Sequence, residues 1–573
     1  MRKVKVDYEK RHKQALILLF ALAIVIRVIY LLEYRFHSPF YDFLLLDSEV
    51  YTRWAKAIAS GDWLGSEVFY GAPLYPYLLA VIYRFLSDEY LLVHLLQSGI
   101  GLLSLWLLYS IARRAFNRRT GLIAVVVALF YPTLIFYETK IMATTVSVFL
   151  SLLVILWLLK TRDNPTPKNW VIGGVLFGIS VLTRPAGLLF LFFIPVWIWI
   201  GFSEPIKKRL IFISSLIFGL CLTVGPVTLR NYAVGKDFVL ISSQGGITFY
   251  QGNNPKARGL YVSLSEFSGS PLTQGQEEKE LAQKDLGRPL KRSEVTKYWF
   301  GKGVRFILKH PLRYVKLEFL KLYRFLNNFE YSGEYNILLE KDYIKVLHLL
   351  FVPYAVIISF GVWGLIISRR KWGELSLFYF FIAANLLVML LFFVSSRYRL
   401  PIVPVLILFA SVGIYDTYEK LRSRMDLGHL VPLAVIPVML LISLSKLDRA
   451  HEFQLGGGHY NLGNHFFDKK EYEKAIREYR KNLEINPRSL FTLYNLGNTY
   501  YVTGRMKEAL ATYKRVVKVK YHFKTAHLKM ARIYEKRGEI AQAIREYEIF
   551  LEKNPDSQQA NKALKRLRGF GPE

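Results

Sequence analysis

Two carboxylates, Asp47 and Glu49, follow the first long apolar run of the chain, within "FYDFLLLDSEVYTRWAKAIASGDW" at residues 40–63. A carboxylate close to a membrane exit can accept a proton from a hydroxyl group that attacks an electrophilic carbon. The same acids also suit the start of an amphipathic helix that Gly61 would end, with Asp47 as N-cap and Glu49 in the first turn. Both roles stay open, because capping and proton transfer do not exclude each other.

Three further polar motifs lie between other apolar runs: "YETK" at 137–140, "TRP" at 183–185 and "SSRYRLP" at 395–401. A charge at the bilayer centre costs roughly 2.5–3.5 kcal/mol on insertion scales, so such groups usually pair or do chemistry. Plainer interpretations are an ion pair between Glu138 and Lys140, and extension of Arg397 and Arg399 to lipid headgroups. The candidates for a shared cleft with Asp47 and Glu49 are Tyr137, Glu138, Lys140, Arg184, Arg397, Tyr398 and Arg399.

Long apolar runs must position these residues. The chain has 573 residues, 52% of them hydrophobic, and a helix needs about 20 apolar residues to cross a bilayer. We predict an all-α integral membrane protein with eleven spans; segment 170–182 is short and could form a re-entrant hairpin with the next one. The spans are 15–32, 91–112, 121–136, 141–159, 170–182, 186–201, 210–229, 346–367, 375–394, 400–414 and 427–444.

The distribution of basic residues sets the orientation. With the basic N-terminus "MRKVKVDYEKRHK" inside, every inside loop is basic, as cytoplasmic loops of membrane proteins are. This explains the net charge of +32 without nucleic acid. We expect a multi-pass protein of a prokaryotic plasma or inner membrane, with outer loops at about 33–90 and 230–343 and the C-terminus outside. The first span should stay as an anchor, since no cleavage site follows it.

The C-terminal residues repeat with a period of 34. "YNLGNHFFDKKEYEKAIREYRKNLEINP" begins at 460, "YNLGNTYYVTGRMKEALATYKRVVKVK" at 494 and "LKMARIYEKRGEIAQAIREYEIFLEKNP" at 528. This is the tetratricopeptide pattern, and it predicts three helix pairs and a capping helix near 558–568. We assign residues 1–445 to the membrane domain, 446–457 to a linker and 458–573 to the repeats. Their groove would bind a peptide or protein outside the membrane, unless the repeats only stabilise the enzyme.

The membrane domain resembles the GT-C glycosyltransferases, and most closely the family-39-type branch with the protein O-mannosyltransferases and lipid A aminoarabinose transferases. The resemblance rests on the first-loop acids and on "FYGAPLYPYLLAVIY", "YPTLIFYETKIMATT", "LTRPAG", "LRNYAVGKDFVLISSQGGITFYQGNNPKARG" and "SSRYRLPIVPVL". It covers residues 15–444. Joined to the repeats, the domain also looks like the eukaryotic transmembrane-and-repeat mannosyltransferases.

The resemblance implies a GT-C multi-span bundle that takes polyprenyl-phosphate-linked sugars on the non-cytoplasmic face. Carried over by motif, Asp47 is the base with Glu49 as its acidic neighbour, and Glu138 is the second acid. Aminoarabinose transferases carry a lysine beside the first-loop prolines, whereas this chain has Tyr70 to Pro73 there, which argues against that donor. Phosphate contact then falls to the arginines, namely Arg184, Arg397 and Arg399.

The expected function is inverting transfer of a hexose or pentose from lipid phosphate to a hydroxyl of a protein Ser or Thr, or of an envelope glycan or lipid. A non-enzymatic repeat scaffold for envelope assembly and a lipid-pyrophosphate-using polysaccharide ligase or polymerase remain alternatives. No cofactor is identified, and a need for Mg²⁺ or Mn²⁺, held by Asp47 and Glu138, stays open. The expected partners are the lipid-linked sugar, membrane lipids and a protein or peptide, but no nucleic acid.

Overall fold

The computed structural model describes residues 2–261, 271–422, 431–447, 450–521 and 523–569. These residues are mostly helical and include no β-strand. They divide into two compact units, Met1–Lys446 and Leu447–Glu573. The predicted all-α class, a membrane bundle followed by helical repeats, is therefore confirmed.

The first unit begins with the helices that carry most of the predicted spans. They are α1 (Arg2–His37), α2 (Leu46–Ala59), α3 (Leu74–Phe85), α4 (Tyr90–Ala115), α5 (Arg118–Leu129), α6 (Pro132–Glu138), α7 (Thr144–Asp163), α8 (Pro167–Thr183), α9 (Phe193–Gly201) and α10 (Ile206–Gly235). A 3₁₀ helix at Pro185–Phe192 precedes α9.

The rest of this unit contains the long loop region and the last apolar helices. They are α11 (Gly245–Gly252), α12 (Pro271–Leu286), α13 (Arg292–Lys309), α14 (Pro311–Leu326), α15 (Ile337–Glu340), α16 (Val346–Leu349), α17 (Tyr354–Ser368), α18 (Trp372–Leu391), α19 (Ser396–Arg399), α20 (Val403–Arg422) and α21 (Val435–Leu444).

Five helical stretches in the described chain are long and apolar enough to cross a membrane, or six if the bent pair α5 and α6 is one span. Pro132 follows a 62° bend between those two helices, and Pro185 ends α8 before the next apolar segment. Each of the eleven predicted spans falls on one or two helices, although residues 427–430 lie outside the described part. The count of eleven and the orientation that depends on it stay predictions.

Glycine contacts hold the membrane helices close together. A Cβ atom on Gly174 of α8 would lie 2.0 Å from the carbonyl oxygen of Leu216 on α10, and one on Gly219 would lie 2.0 Å from that of Val171. Gly364 of α17 approaches the Phe409 carbonyl on α20 in the same way. The small residues of "GGVLFG" thus serve helix packing, as such spacing does in membranes.

Helix α2 starts without a side-chain cap. Its N-cap is Leu45, and Asp47 and Glu49 both lie in the first turn, so the interpretation of Asp47 as the N-cap is wrong. Leu46, immediately before Asp47, has a φ of 39°, which is strained for a leucine. The amphipathic helix itself is confirmed, since one face is buried and Gly61 with a φ of 119° follows its end.

The second unit consists of three helix pairs and a final helix, as the period predicts. The helices are α22 (Ala450–Asp468), α23 (Tyr472–Ile485), α24 (Leu490–Val502), α25 (Met506–Val519), α26 (Lys524–Lys536), α27 (Ile540–Glu552) and α28 (Gln558–Arg568). Because α22 begins at Ala450, most of segment 446–457 is helical. The turn within each helix pair contains a residue with a positive φ at the same position of the 34-residue repeat. These residues are Lys470, Gly504 and Gly538.

Candidate active site

Three segments that are distant in the sequence meet at Asp47. Arg397 lies on the short helix α19, and Glu334 lies just before α15. The Arg397 Nη1 atom lies 2.5 Å from Asp47 Oδ2 and 2.6 Å from Glu334 Oε1. The other Glu334 oxygen accepts a hydrogen bond of 3.2 Å from the backbone amide of Asp47. Arg397 and Glu334 therefore hold both the carboxylate and the main chain of Asp47.

The two carboxylates of this cluster differ in access. The Asp47 side chain is 32% exposed, whereas that of Glu334 is 5% exposed. Burial, and then the charge of Asp47, raise the pKa of Glu334 well above that of an ordinary glutamate, although Arg397 opposes this. Burial also opposes the charge of Arg397, but Asp47 and Glu334 outweigh it and raise the pKa of the guanidinium. Asp47 is thus the carboxylate that a substrate can reach.

Arg184 connects the cluster to a cavity. Its Nη2 atom donates to the Arg397 carbonyl oxygen at 2.9 Å, and its guanidinium lies 4.9 Å from the centre of the Tyr398 ring. Both side chains line a pocket of about 40 Å³, whose other walls include phenylalanines and serines such as Phe190 and Ser180. Burial lowers the pKa of Arg184 to about 10, so the side chain remains a cation at neutral pH. The pocket thus places the Arg184 cation beside hydroxyl groups and apolar side chains.

Arg399, two residues beyond Arg397, is directed into the protein. Its Nη2 atom lies 2.8 Å from Glu330 Oε2, and its Nη1 atom donates to the Asn327 carbonyl oxygen at 2.7 Å. The guanidinium also stacks over Tyr354 at 3.7 Å from the ring centre. The side chain is almost fully buried. Arg399 therefore fixes the loop after α14, and its phosphate role remains a prediction without geometric support.

Glu138 forms a two-point ion pair with Arg27 in the middle of α1. The Nε and Nη2 atoms of Arg27 donate to its two oxygens at 2.8 and 2.6 Å, and both side chains are buried. Gly101 lies so close that a Cβ atom there would be 2.0 Å from Glu138 Oε1. The expected pair between Glu138 and Lys140 does not form. Glu138 is thus paired with Arg27, and Asp47 is paired with Arg397. The two carboxylates do not form a pair with each other.

Lys140 belongs to a second buried network. Its Nζ atom donates to Glu340 Oε2 at 2.6 Å, and the Tyr30 hydroxyl donates to Glu340 Oε1 at 2.6 Å. The ammonium also lies 4.0 Å from the centre of the Tyr34 ring. Gln97 donates to the carbonyl oxygens of Glu138 and Lys140, which fixes the "YETK" turn. Lys140 is therefore a structural cation.

The remaining predicted residues divide between the surface and the core. Glu49 pairs with Arg53 one turn later on α2 at 2.5 Å, in an exposed i,i+4 contact. Tyr137 is buried in the core of the bundle. Among the residues that the structure describes, no three His, Cys, Asp or Glu side chains form a metal-binding group. A metal requirement stays a prediction.

Sequence reasoning missed several residues of these networks, among them Arg27, Glu330, Glu334 and Glu340. Arg27 carried a usable signal, since a lone arginine inside an apolar span needs a buried partner. Glu334 carried none, because "FEYSGEYN" at residues 329–336 follows neither a helical nor a strand period.

Comparison with protein families finds a match in each part of the chain. Residues 71–228 match the family described as dolichyl-phosphate-mannose-protein mannosyltransferase. Residues 463–504, 492–522 and 525–557 match tetratricopeptide repeat families. No curated protein matches the chain.

Solved structures resemble each part at low identity. The archaeal oligosaccharyltransferase AglB from Archaeoglobus fulgidus, in complex with an inhibitory peptide and a dolichol-phosphate, is 13% identical with a TM-score of 0.42. That match covers 82% of this chain and 59% of AglB. The first tetratricopeptide domain of Spaghetti (RPAP3), bound to an HSP90 peptide, is 20% identical with a TM-score of 0.20 and covers 20% of this chain and 93% of its own. The chain thus has a segment at residues 71–228 that matches the dolichyl-phosphate-mannose-protein mannosyltransferase family, followed by C-terminal tetratricopeptide repeats.

Proposed function

We propose that this glycosyltransferase moves a sugar, with inversion, from a polyprenyl-phosphate donor to a hydroxyl group on the non-cytoplasmic face of the membrane. Glycosyl transfer as such follows from the family segment at residues 71–228. The observation that carries the finer proposal is the cluster of Asp47, Arg397 and Glu334 beside the cavity that Arg184 lines. It puts an accessible base next to a cation within an apolar enclosure.

The proposed reaction is a single displacement. The acceptor oxygen attacks the anomeric carbon while Asp47 takes its proton. The bond from the anomeric carbon to the phosphate oxygen breaks, and its electron pair leaves with the lipid phosphate. Arg184 binds that phosphate, since it is a cation whose acceptor among the described residues is a carbonyl group and not an acid. Glu334 and Arg397 position Asp47 and take no proton from the acceptor.

Substitution of the base tests the mechanism. Asp47→Asn should lower turnover roughly 10²- to 10⁴-fold, the range of a general base, without loss of donor binding. Glu334→Gln is the matched control, because an amide oxygen can still accept from the Asp47 backbone and the variant should keep most of its turnover. The assay measures release of polyprenyl phosphate from a panel of polyprenyl-phosphate hexoses and pentoses. Near-normal turnover in Asp47→Asn would remove Asp47 from the mechanism.

We further propose that the repeats recruit a protein, either the acceptor or a partner in envelope assembly, on the same side as the cleft. The support is their match to repeat families that bind proteins and the parity of eleven predicted spans. Deletion of residues 447–573 should impair modification of the natural acceptor and spare transfer to a small surrogate. Equal modification by the truncated and full-length enzymes, or a C-terminal reporter active only in the cytoplasm, contradicts this.

A further inference from the structure

An apolar stripe crosses the junction of helices α13 and α14 on the surface of the first unit. Its members are Leu308, Leu312, Val315 and Phe319, which are 75%, 79%, 49% and 68% exposed. The spacings of three and four residues place Leu312, Val315 and Phe319 on one side of α14, and Leu308 lies at the end of α13. Three large apolar side chains along one side of a helix form a stripe, unlike the scattered apolar residues of a wetted surface.

The opposite face of α14 buries charge. Lys321 is fully buried, and its Nζ atom lies 3.2 Å from Asn253 Oδ1 and 2.5 Å from the Leu390 carbonyl oxygen. Arg324 is buried as well and donates to the Arg258 carbonyl oxygen. Leu317 and Phe325 share this buried face, so α14 has apolar residues on both faces. A helix on the surface of a water-soluble fold keeps its apolar residues on the inner face, so the outer stripe of α14 is suited to an environment other than water.

Hydrogen bonds place α14 at the ends of two apolar helices. Lys321 reaches the last turn of α18 through Leu390, within a stretch that is apolar enough to cross a membrane. The Tyr323 hydroxyl and the Asn327 side-chain amide both donate at 2.8 Å to the Ser445 carbonyl oxygen, just after α21. The backbone amide of Asn328 donates to the Ser443 carbonyl oxygen at 2.9 Å. Helix α14 is thus held at the C-terminal ends of these two apolar helices.

We propose that the α13–α14 stripe lies in the bilayer, at the boundary between the acyl chains and the headgroups, so that α14 is an in-plane membrane helix. The occupant of the patch is phospholipid, because hydrogen bonds hold α14 at the ends of two apolar helices. Exposed Lys309 and Lys316 border the stripe and suit the phosphates of the headgroups. The inference is independent of the proposed reaction.

Site-directed spin labelling tests the proposal on the full-length protein in phospholipid nanodiscs. The single cysteine is first removed by Cys221→Ser, and a nitroxide is then attached in Leu312→Cys and in Phe319→Cys. The control is Glu280→Cys, on the exposed polar face of α12. Collision with dissolved oxygen and with a water-soluble nickel chelate is measured for each label.

The expected result is that the labels at 312 and 319 collide more with oxygen than with the nickel chelate, while the label at 280 shows the reverse. Equal exposure of all three labels to the nickel chelate would overturn the proposal, because the stripe would then be in water. Immobile labels at 312 and 319 that neither reagent reaches would also overturn it, because the stripe would then be covered by protein.

Discussion

The ion pair of Arg27 and Glu138 allows a direct test of whether Glu138 is structural or catalytic. Both side chains are buried, and the two hydrogen bonds between them are 2.6 and 2.8 Å long. Removal of one partner leaves the other charge buried and unpaired, which costs about 3–5 kcal/mol, whereas apolar replacement of both is often neutral. We therefore expect Arg27→Met and Glu138→Leu each to lower the free energy of unfolding by about 3–5 kcal/mol, and the double variant to recover most of this loss.

The assay combines thermal unfolding in lipid nanodiscs with the polyprenyl-phosphate release assay. If Glu138 is structural, the double variant is both stable and active. A double variant that is stable but at least about 100-fold slower would refute this reasoning and restore Glu138 as the second catalytic acid. Gly101→Ala is a control without any charge change: its Cβ atom would displace the Glu138 carboxylate, so it should resemble the single variants in stability.

Five further outcomes are expected. Arg184→Ala should weaken binding of the lipid-phosphate donor more than Arg184→Lys does. Arg399→Lys should lower the yield of folded protein, because one ammonium cannot replace the bonds to Glu330 and three carbonyl groups. Lys470→Gly should stabilise the repeats by about 1 kcal/mol in thermal unfolding, since it removes a side chain from a left-handed turn, and Gly504→Ala should destabilise them by a similar amount. The Glu334 carboxyl group binds its proton more tightly in the folded protein than in the unfolded chain. As the pH rises from about 4, the stability of the wild type should therefore fall relative to that of Glu334→Gln, until the pH exceeds the raised pKa of Glu334. An unchanged difference in melting temperature across this range would contradict that sign.

Periodic patterns in the sequence predicted the parts of the fold that depend on local order. The period of 34 gave the three helix pairs and the bounds of the final helix, because each repeat buries the same positions, such as Ala475, Ala509 and Ala543. The apolar runs gave the helices but not the number of crossings, since Pro132 and Pro185 shorten or bend them in ways that composition does not report.

Long-range contacts were only partly predictable. Asp47 and Arg397 were both expected at one cleft, and the structure joins them. The third member, Glu334, comes from an irregular loop whose path depends on tertiary packing. The N-cap interpretation of Asp47 failed because Leu45 takes that position, which composition alone could not exclude.

The charges of the three candidate arginines decide which of them can accept a phosphate. Arg399 forms an ion pair with Glu330, and Arg397 forms ion pairs with Asp47 and Glu334. The positive charge of each guanidinium is therefore already balanced by an acid. Arg184 has a backbone carbonyl as its acceptor and is nonetheless buried, which lowers its pKa to about 10. A buried cation without an acid is costly, and the anionic phosphodiester of an incoming donor would remove that cost. Among arginines that the sequence treats as equivalent, the electrostatic balance therefore favours Arg184 as the group that binds the donor phosphate, and leaves Arg397 to orient the base.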